Sequence, residues 1–374
     1  MSKRQRWLAA TALVVPLALL GSCSSGPDPS DAGGSEAGDR AGYGGELGSA
    51  EQEAAFAELY DAAMAAGENQ VIAYGPPPAR ALIEAFHQRF PGIEVSYQQL
   101  QTAERIAKLE QEKQTENYVA DVASDGRTPI VSMAVEGWCQ EIDTVMDVPD
   151  EWMGPNDAAM FPYVSVFGLV INTDMMDAED APQSWEELIS PEYEGEVVMV
   201  SPAAGGAAAF TFAMMQTPEE NAEKYDGIKE GIKDNVTLVA RDALVLQEVA
   251  QGTYPIGALA YYPYFVETAA QGAPIEFVFP FSKGGGNMWT KSGNCLIENA
   301  PHPNAGALWM NWLTSVEGQT VLADAGWYPT MPGMPGPGGL PPLEEIDLLH
   351  ALPDEEAITA YGPYVQEVIS FFGG

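Results

Sequence analysis

The stretch Gly257-Ala258-Leu259-Ala260-Tyr261-Tyr262-Pro263-Tyr264 holds the residues best suited to chemistry. It reads as a small-residue strand that ends in tyrosines. In an open α/β sheet, ligands bind beyond the carboxyl ends of the strands. Phenols at such an end suit a hard metal ion, a stacked ring or a hydrogen-bond acceptor. Adjacent strand residues face opposite ways, so Tyr261 and Tyr262 equally fit a pair that caps a core.

Other strand exits carry small or polar residues: 74–78, 124–128, 201–206 and 240–242. Bases are scarce, 16 against 54 acids, so a base in such a loop stands out. Arg127 and Arg241 are the two, and each equally fits a surface charge or an internal ion pair. Arginine binds phosphate and carboxylate through paired hydrogen bonds. The helix starts at Ala203 and after Asp242 present backbone N–H groups, which also favour an anion. The acidic balance points the other way, to a cation held by aromatic walls and a carboxylate. Tyr74, Tyr163 and Asp125 suit that role.

Enzyme signatures are missing. There is no His-Glu-x-x-His, no Gly-x-Ser-x-Gly elbow and no phosphate loop ending in Gly-Lys-Ser/Thr. His87, His302 and His350 have no metal-binding spacing. The glycines at 284–286 lack the strand-then-helix setting of a dinucleotide fingerprint.

These exits are positioned by alternating strands and helices. Apolar spacing predicts helices over 51–67, 80–90 and 102–115. Strands fall at 70–74, 93–97 and 120–124, with 125–129 as an exit loop and a helix over 130–137. This β-α-β-α-β run is the signature of a parallel sheet covered by helices. The apolar strand 161–173 is long enough to leave one domain and enter another. Ser184 followed by Glu187 reads as a capping box. Further strands are predicted at 195–200, 236–239, 257–261, 275–280 and 292–298. Helices are predicted at 207–216, 224–233, 243–251, 305–313 and 355–371. Lys283-Gly284-Gly285-Gly286 reads as a flexible return crossing.

The N-terminus reads as an export signal. Lys3, Arg4 and Arg6 precede an apolar run from Leu8 to Leu20, too short to span a bilayer comfortably. Leu20-Gly21-Ser22-Cys23 resembles a bacterial lipobox, with Cys23 as the lipid-bearing residue after a signal of residues 1–22. Residues 23–50 are rich in Ser, Gly, Asp and Glu and read as a disordered tether. A net charge of −38 argues against nucleic acid and anionic lipid as partners. It gives a solvated acidic surface. After Cys23 only Cys139 and Cys295 remain; outside a cell they are free to pair, and the sequence leaves open whether they do.

Beyond these residues, the chain from about 68 to 374 resembles the extracellular solute-binding proteins of ABC importers. The likeness is to the type II fold and the branch that includes ferric-iron-binding proteins. It is carried by Phe90-Pro91-Gly92-Ile93-Glu94-Val95, Ala120-Asp121-Val122 and Gly168-Leu169-Val170-Ile171-Asn172-Thr173-Asp174. The most specific stretch is Pro182-Gln183-Ser184-Trp185-Glu186-Glu187-Leu188 with Pro191-Glu192-Tyr193-Glu194-Gly195. Ala300-Pro301-His302-Pro303-Asn304-Ala305 and Ser315-Val316-Glu317-Gly318-Gln319 add to it.

This resemblance implies an α/β, two-lobe type II periplasmic-binding-protein fold with two crossings between lobes. Lobe 1 would be 51–167 plus 287–374, and lobe 2 168–286. It implies a non-enzymatic, monomeric lipoprotein outside the cell membrane, serving an ABC permease and its ATPase subunits. Tyr261 and Tyr262 fall where that branch binds ferric ion, so Fe3+ is expected as transported cargo, with no cofactor. The first loop, 74–80, has no histidine, and Gly126 stands where many such members have an acid. The alternatives are a small organic anion such as a phosphonate, phosphate ester or carboxylate, or a cation such as thiamine or a polyamine. A tethered extracellular enzyme is the rival class.

Overall fold

The computed structural model describes residues 47–100, 102–217, 222–279 and 286–373. The signal, Cys23, most of the tether and Lys283–Gly285 lie outside them.

The first helix, α1 (Ala50–Ala66), starts at a full capping box between Ser49 and Gln52 and stops at Gly67, whose φ of 76° is left-handed. Then come β1 (Gln70–Tyr74), α2 (Arg80–Arg89), β2 (Glu94–Gln98), α3 (Thr102–Thr115), β3 (Val122–Gly126) and α4 (Arg127–Val135). The expected exit loop at 125–129 is absent. β3 runs on to Gly126, and α4 begins at the next residue. The reason is β-pairing: Ser124, Asp125 and Gly126 register with Asn294, Gly293 and Ser292 of a later strand.

β4 (Met160–Asn172) is buried along almost its whole length, as a strand covered on both faces must be. It leads to α5 (Trp185–Leu188), β5 (Val197–Val200), α6 (Gly206–Met215), α7 (Ala222–Asn235), β6 (Thr237–Val239), α8 (Asp242–Ala250) and β7 (Ile256–Tyr261). Ser184 caps α5 by accepting from Glu187 N. The return bond of the box goes instead from Gln183 N to the Glu187 carboxylate. Next are α9 (Tyr262–Ala269), β8 (Ile275–Val278), β9 (Trp289–Leu296), α10 (Pro303–Thr314), α11 (Val316–Asp324), β10 (Tyr328–Pro329) and α12 (Asp354–Gly373). Helices α9 and α11 were not expected. Pro263 suits the first turn of α9, where no amide donor is needed.

The strands form one sheet in the order β2-β1-β3-β9-β4-β7-β5-β6, with β8 and β10 also pairing with β4. β1, β2 and β3 are parallel, as are β5, β6 and β7. β4 and β9 run antiparallel to each other at the centre. β4 pairs with β9 and β10 through its first half and with β7 and β8 through its second. It therefore passes from one core to the other. Before the crossing, Phe56, Phe86, Trp309 and Trp312 pack on one side of the sheet, and Tyr74, Ile130 and Phe161 on the other. After it, Leu169, Trp185, Met199, Phe212 and Ile256 form the second core. At Gly168, in mid-crossing, a Cβ would lie 2.4 Å from the Val278 carbonyl and 2.9 Å from the Phe277 ring. The absent side chain lets β8 approach.

The last helix, α12, packs against both α4 and α6. Ala357, Tyr361 and Val368 are buried in the second core. The cause is a set of anchors on α7 and α6: Lys229 Nζ to Glu367 at 3.1 Å, Lys233 Nζ to the Phe371 carbonyl at 3.0 Å, and the Phe212–Phe372 ring pair. Among the described residues, no helix is long and apolar enough to cross a membrane.

Candidate functional site

The crossing strands have two faces, and each gathers its own group of side chains. Side chains alternate along a strand, so Tyr163, Ser165 and Phe167 of β4 share one face. Their cross-strand neighbours are Ser292, Thr290 and Tyr261. On this face the Tyr261 ring stacks on Phe167 at 5.3 Å, and Tyr264 meets it edge-on at 5.1 Å. The Tyr261 oxygen accepts from the Trp327 indole N–H at 2.7 Å and from Ser165 Oγ at 3.3 Å. The indole nitrogen only donates, so the phenol oxygen is held as an acceptor and its own proton remains for a further partner. The Tyr163 ring lies 5.1 Å from Trp327. Burial pushes the Tyr261 phenol up, although the Ser165 and Trp327 bonds pull it back. Burial also raises Tyr163, and takes Tyr97 up to about 12. These phenols stay protonated at neutral pH unless a metal ion displaces the proton.

The opposite face carries Val164 and Val166 of β4, paired with Lys291 and Trp289 of β9. Here a cavity of about 330 Å³ opens between the two halves of the chain. The end of β3 and the start of α4 supply one wall, through Asp125, Gly126 and Arg127. The lining also takes Ala207, Phe210 and Met214 from α6, and Trp289, Thr290 and Lys291 from β9. The Arg127 guanidinium donates to the Leu352 carbonyl. Lys291 is turned to the Glu151 carbonyl at 2.6 Å.

The sequence candidates are thus divided. Asp125 and Arg127 line the cavity, whereas Tyr163 and Tyr261 stand on the other face. Asp125 is no ligand in waiting: its carboxylate is bound to the buried Arg105 at 2.6 Å, to Thr102 at 3.0 Å and to Gly126 N at 2.7 Å. Tyr74 is not at a cleft. It is fully buried, with its hydroxyl donated to Glu112 at 2.5 Å, because β1 turns this residue under α3. Tyr262 turns away from Tyr261 into the second core, against Phe277 at 4.9 Å, with its hydroxyl on the Pro337 carbonyl. The adjacent phenols therefore take separate partners, and the expected metal-binding pair is not assembled. Ala203 gives its N–H to Ser201 Oγ at 3.3 Å. Arg241 is exposed at the N-cap of α8, next to Asp242, whose charge acts on Tyr261. Among the described residues, no group of three or more His, Cys, Asp or Glu is placed to hold a metal ion.

Sequence reasoning missed Ser165, Trp289, Phe210, Trp327 and Tyr361. The alternation of β4 was the one available signal, since it puts Ser165 beside Tyr163. Trp327 and Tyr361 arrive from distant segments and give no local sign.

The model of a family described as bacterial extracellular solute-binding protein matches residues 81–338. No curated protein matches the sequence. Solved structures do. Iron-bound HitA from Pseudomonas aeruginosa is 20% identical with a TM-score of 0.66, the match covering 80% of this chain and 99% of that one. AfuA from Actinobacillus pleuropneumoniae, with exogenous fructose-6-phosphate bound, is 17% identical with a TM-score of 0.63 over 81% and 98%. The Trichodesmium protein IdiA (FutA), in complex with iron and citrate, is 18% identical with a TM-score of 0.63 over 81% and 98%. At these identities the likeness is one of fold.

Proposed function

The chain belongs to the bacterial extracellular solute-binding proteins, and on that premise we propose that it captures a small organic anion between its lobes. It is a binding protein and not an enzyme, built on the two-lobe type II fold, and it works with an ABC permease. The observation that carries the ligand reading is the cavity beside Arg127. Neither half of the chain forms it alone, because α4, α6 and β9 all contribute to its lining. A solute bridging them favours the closed arrangement of the lobes, which is how hinge closure couples to binding. Its volume is at the small end of the range for organic ligands, and far larger than a bare ion needs. We place lobe 1 at 51–167 and from 287 onward, and lobe 2 at 168–286, with α12 laid onto lobe 2.

Arg127→Ala is expected to weaken the bound solute on the order of tenfold to a hundredfold, as loss of a charge-assisted contact does. The solute is identified by mass spectrometry of the denatured, freshly purified protein, and its affinity is then measured by calorimetry. Unchanged affinity in the variant would sink the anion reading.

Ferric ion, or a ferric complex, is the second reading. What favours it is Tyr261, whose oxygen receives the Trp327 N–H and so is prepared to carry negative charge. Fe3+ lowers the pKa of a bound phenol enough to overcome the burial of this one. It would be cargo, not cofactor. Its set of partners would have to come largely from a co-bound anion, given the engagement of Tyr262 and Asp125. A visible phenolate-to-iron colour, lost in Tyr261→Phe, is the expected sign; a colourless protein in excess ferric citrate rejects it.

We also propose that Cys23 carries the lipid and keeps the protein, as a monomer, at the outer face of the membrane. Cys23→Ala is then expected to move it from the membrane fraction to the medium. Retention in the membrane fraction would exclude that anchor.

A further inference from the structure

The cavity beside Arg127 has a mixed lining. Phe210 and Met214 of α6, with Met288 and Trp289, supply apolar surface. Arg127 supplies a cation to the same lining. The Asp125 carboxylate on the same wall is neutralised by Arg105, so it does not oppose a bound anion. The C-terminal segment completes the walls. Tyr361 of α12 lines the cavity with its ring edge-on to Phe210, centroids 5.7 Å apart. Leu352 links Arg127 to Tyr361 through its peptide groups. Its N–H donates to the Tyr361 oxygen at 2.8 Å, and its carbonyl accepts from Arg127. The Trp289 indole is fixed in turn by the Leu349 carbonyl at 2.8 Å. Segment 347–349 is held to the start of β9 by Asn287 N to the Asp347 carbonyl at 2.7 Å and Leu349 N to the Asn287 carbonyl at 2.9 Å.

We infer that the solute is a two-part anion, with an oxyanion head at Arg127 and a compact apolar body, a ring or branched alkyl group, packed against Phe210 and Trp289. The C-terminal segment, through Tyr361, limits the size of that body. This rests on the proposal that the cavity takes an organic anion, and it adds the requirement for a body. A bare oxyanion at Arg127 would leave the apolar walls with no partner. A body removes those walls from water, and the gain scales with the apolar area covered.

The test is calorimetric titration of the full chain with two pairs of probes that differ in the body: methylphosphonate against phenylphosphonate, and acetate against phenylacetate. In at least one pair the aromatic member is expected to bind tighter by on the order of tenfold to a hundredfold. Phe210→Ala is expected to erase that advantage. Equal affinity within each pair overturns the body and leaves the anion reading standing. Tighter aromatic binding that survives Phe210→Ala also overturns the inference, because the body then packs elsewhere. No binding of any of the four overturns the anion reading and this inference with it.

Discussion

Asp125→Ala is expected to destabilise the fold by about 3–5 kcal/mol, the cost of leaving a buried charge without its partner. Arg105 on α3 is fully buried, and its guanidinium is held by the Asp125 carboxylate at 2.6 Å and the Ser124 carbonyl at 3.2 Å. Asp125 is itself partly exposed at the cavity wall, yet its charge is committed inward. Removing it leaves the guanidinium in a low-dielectric interior with a single neutral acceptor. The pair's net worth is another matter, since an apolar replacement of both members is often close to neutral. The double variant Arg105→Met/Asp125→Ala is therefore expected to regain much of the loss. Denaturant unfolding of the four proteins in the cycle measures this. An Asp125→Ala cost below about 1 kcal/mol, the usual value of an exposed pair, would show that the site is wetter than its burial implies. The prediction also separates two roles for this carboxylate. As a ligand group its loss would alter binding; as the counter-ion of Arg105 it alters stability first.

Replacing both halves of the Cys139–Cys295 disulfide by alanine is expected to cost about 4–5 kcal/mol on the chain-entropy account of a long closed loop. The bond joins residues 156 apart, with Cα atoms 5.7 Å from each other. The loop it closes includes the long crossing strand β4 and everything built after it, up to the far end of β9. Both sulfurs are buried, so mild reductant acts slowly on the folded protein, and the double variant is the cleaner test. Calorimetric melting is expected to show a drop of several degrees or more. Equal melting temperatures would mean that the unfolded chain is already compact enough to hide the loop entropy. The bond fixes the segment after α4 to β9, where Gln140 N also reaches the Leu296 carbonyl at 2.9 Å. It therefore stiffens the strand that carries Trp289 into the cavity.

Much of the architecture was legible because its causes are local. The apolar period of 3.6 in residues 102–115 and the helix cap at Ser184 act within a few residues of themselves. So does the long uninterrupted apolar run of β4, which announced a crossing before any partner strand was known. The errors have non-local causes. Asp125 and Gly126 read as the start of a loop, and only pairing with β9 makes them strand. The helix after Tyr261 is not among those predicted from apolar spacing, and Pro263 sits in its first turn, where a proline is tolerated. Tyr74 reads as a cleft residue because it ends a strand. Burial of that end under α3, with Glu112 waiting for the hydroxyl, reversed the assignment.

The tyrosine pair shows where local reading ends. The sequence by itself determined that Tyr261 and Tyr262 sit at the end of a strand in a two-lobed solute-binding chain, because pattern and motif encode strand ends and crossings. Only the tertiary structure decided which phenol is available. Alternation sends neighbours to opposite sides, and whether a side is cleft or core depends on Phe277 and Pro337, which arrive from elsewhere in the chain. Likewise Arg127 stood out by scarcity of charge alone. Its apolar companions Phe210, Trp289 and Tyr361 are separated from it by lobe 2, a crossing strand and the last helix. Long-range packing brings these residues together, and no short window of sequence contains that distance.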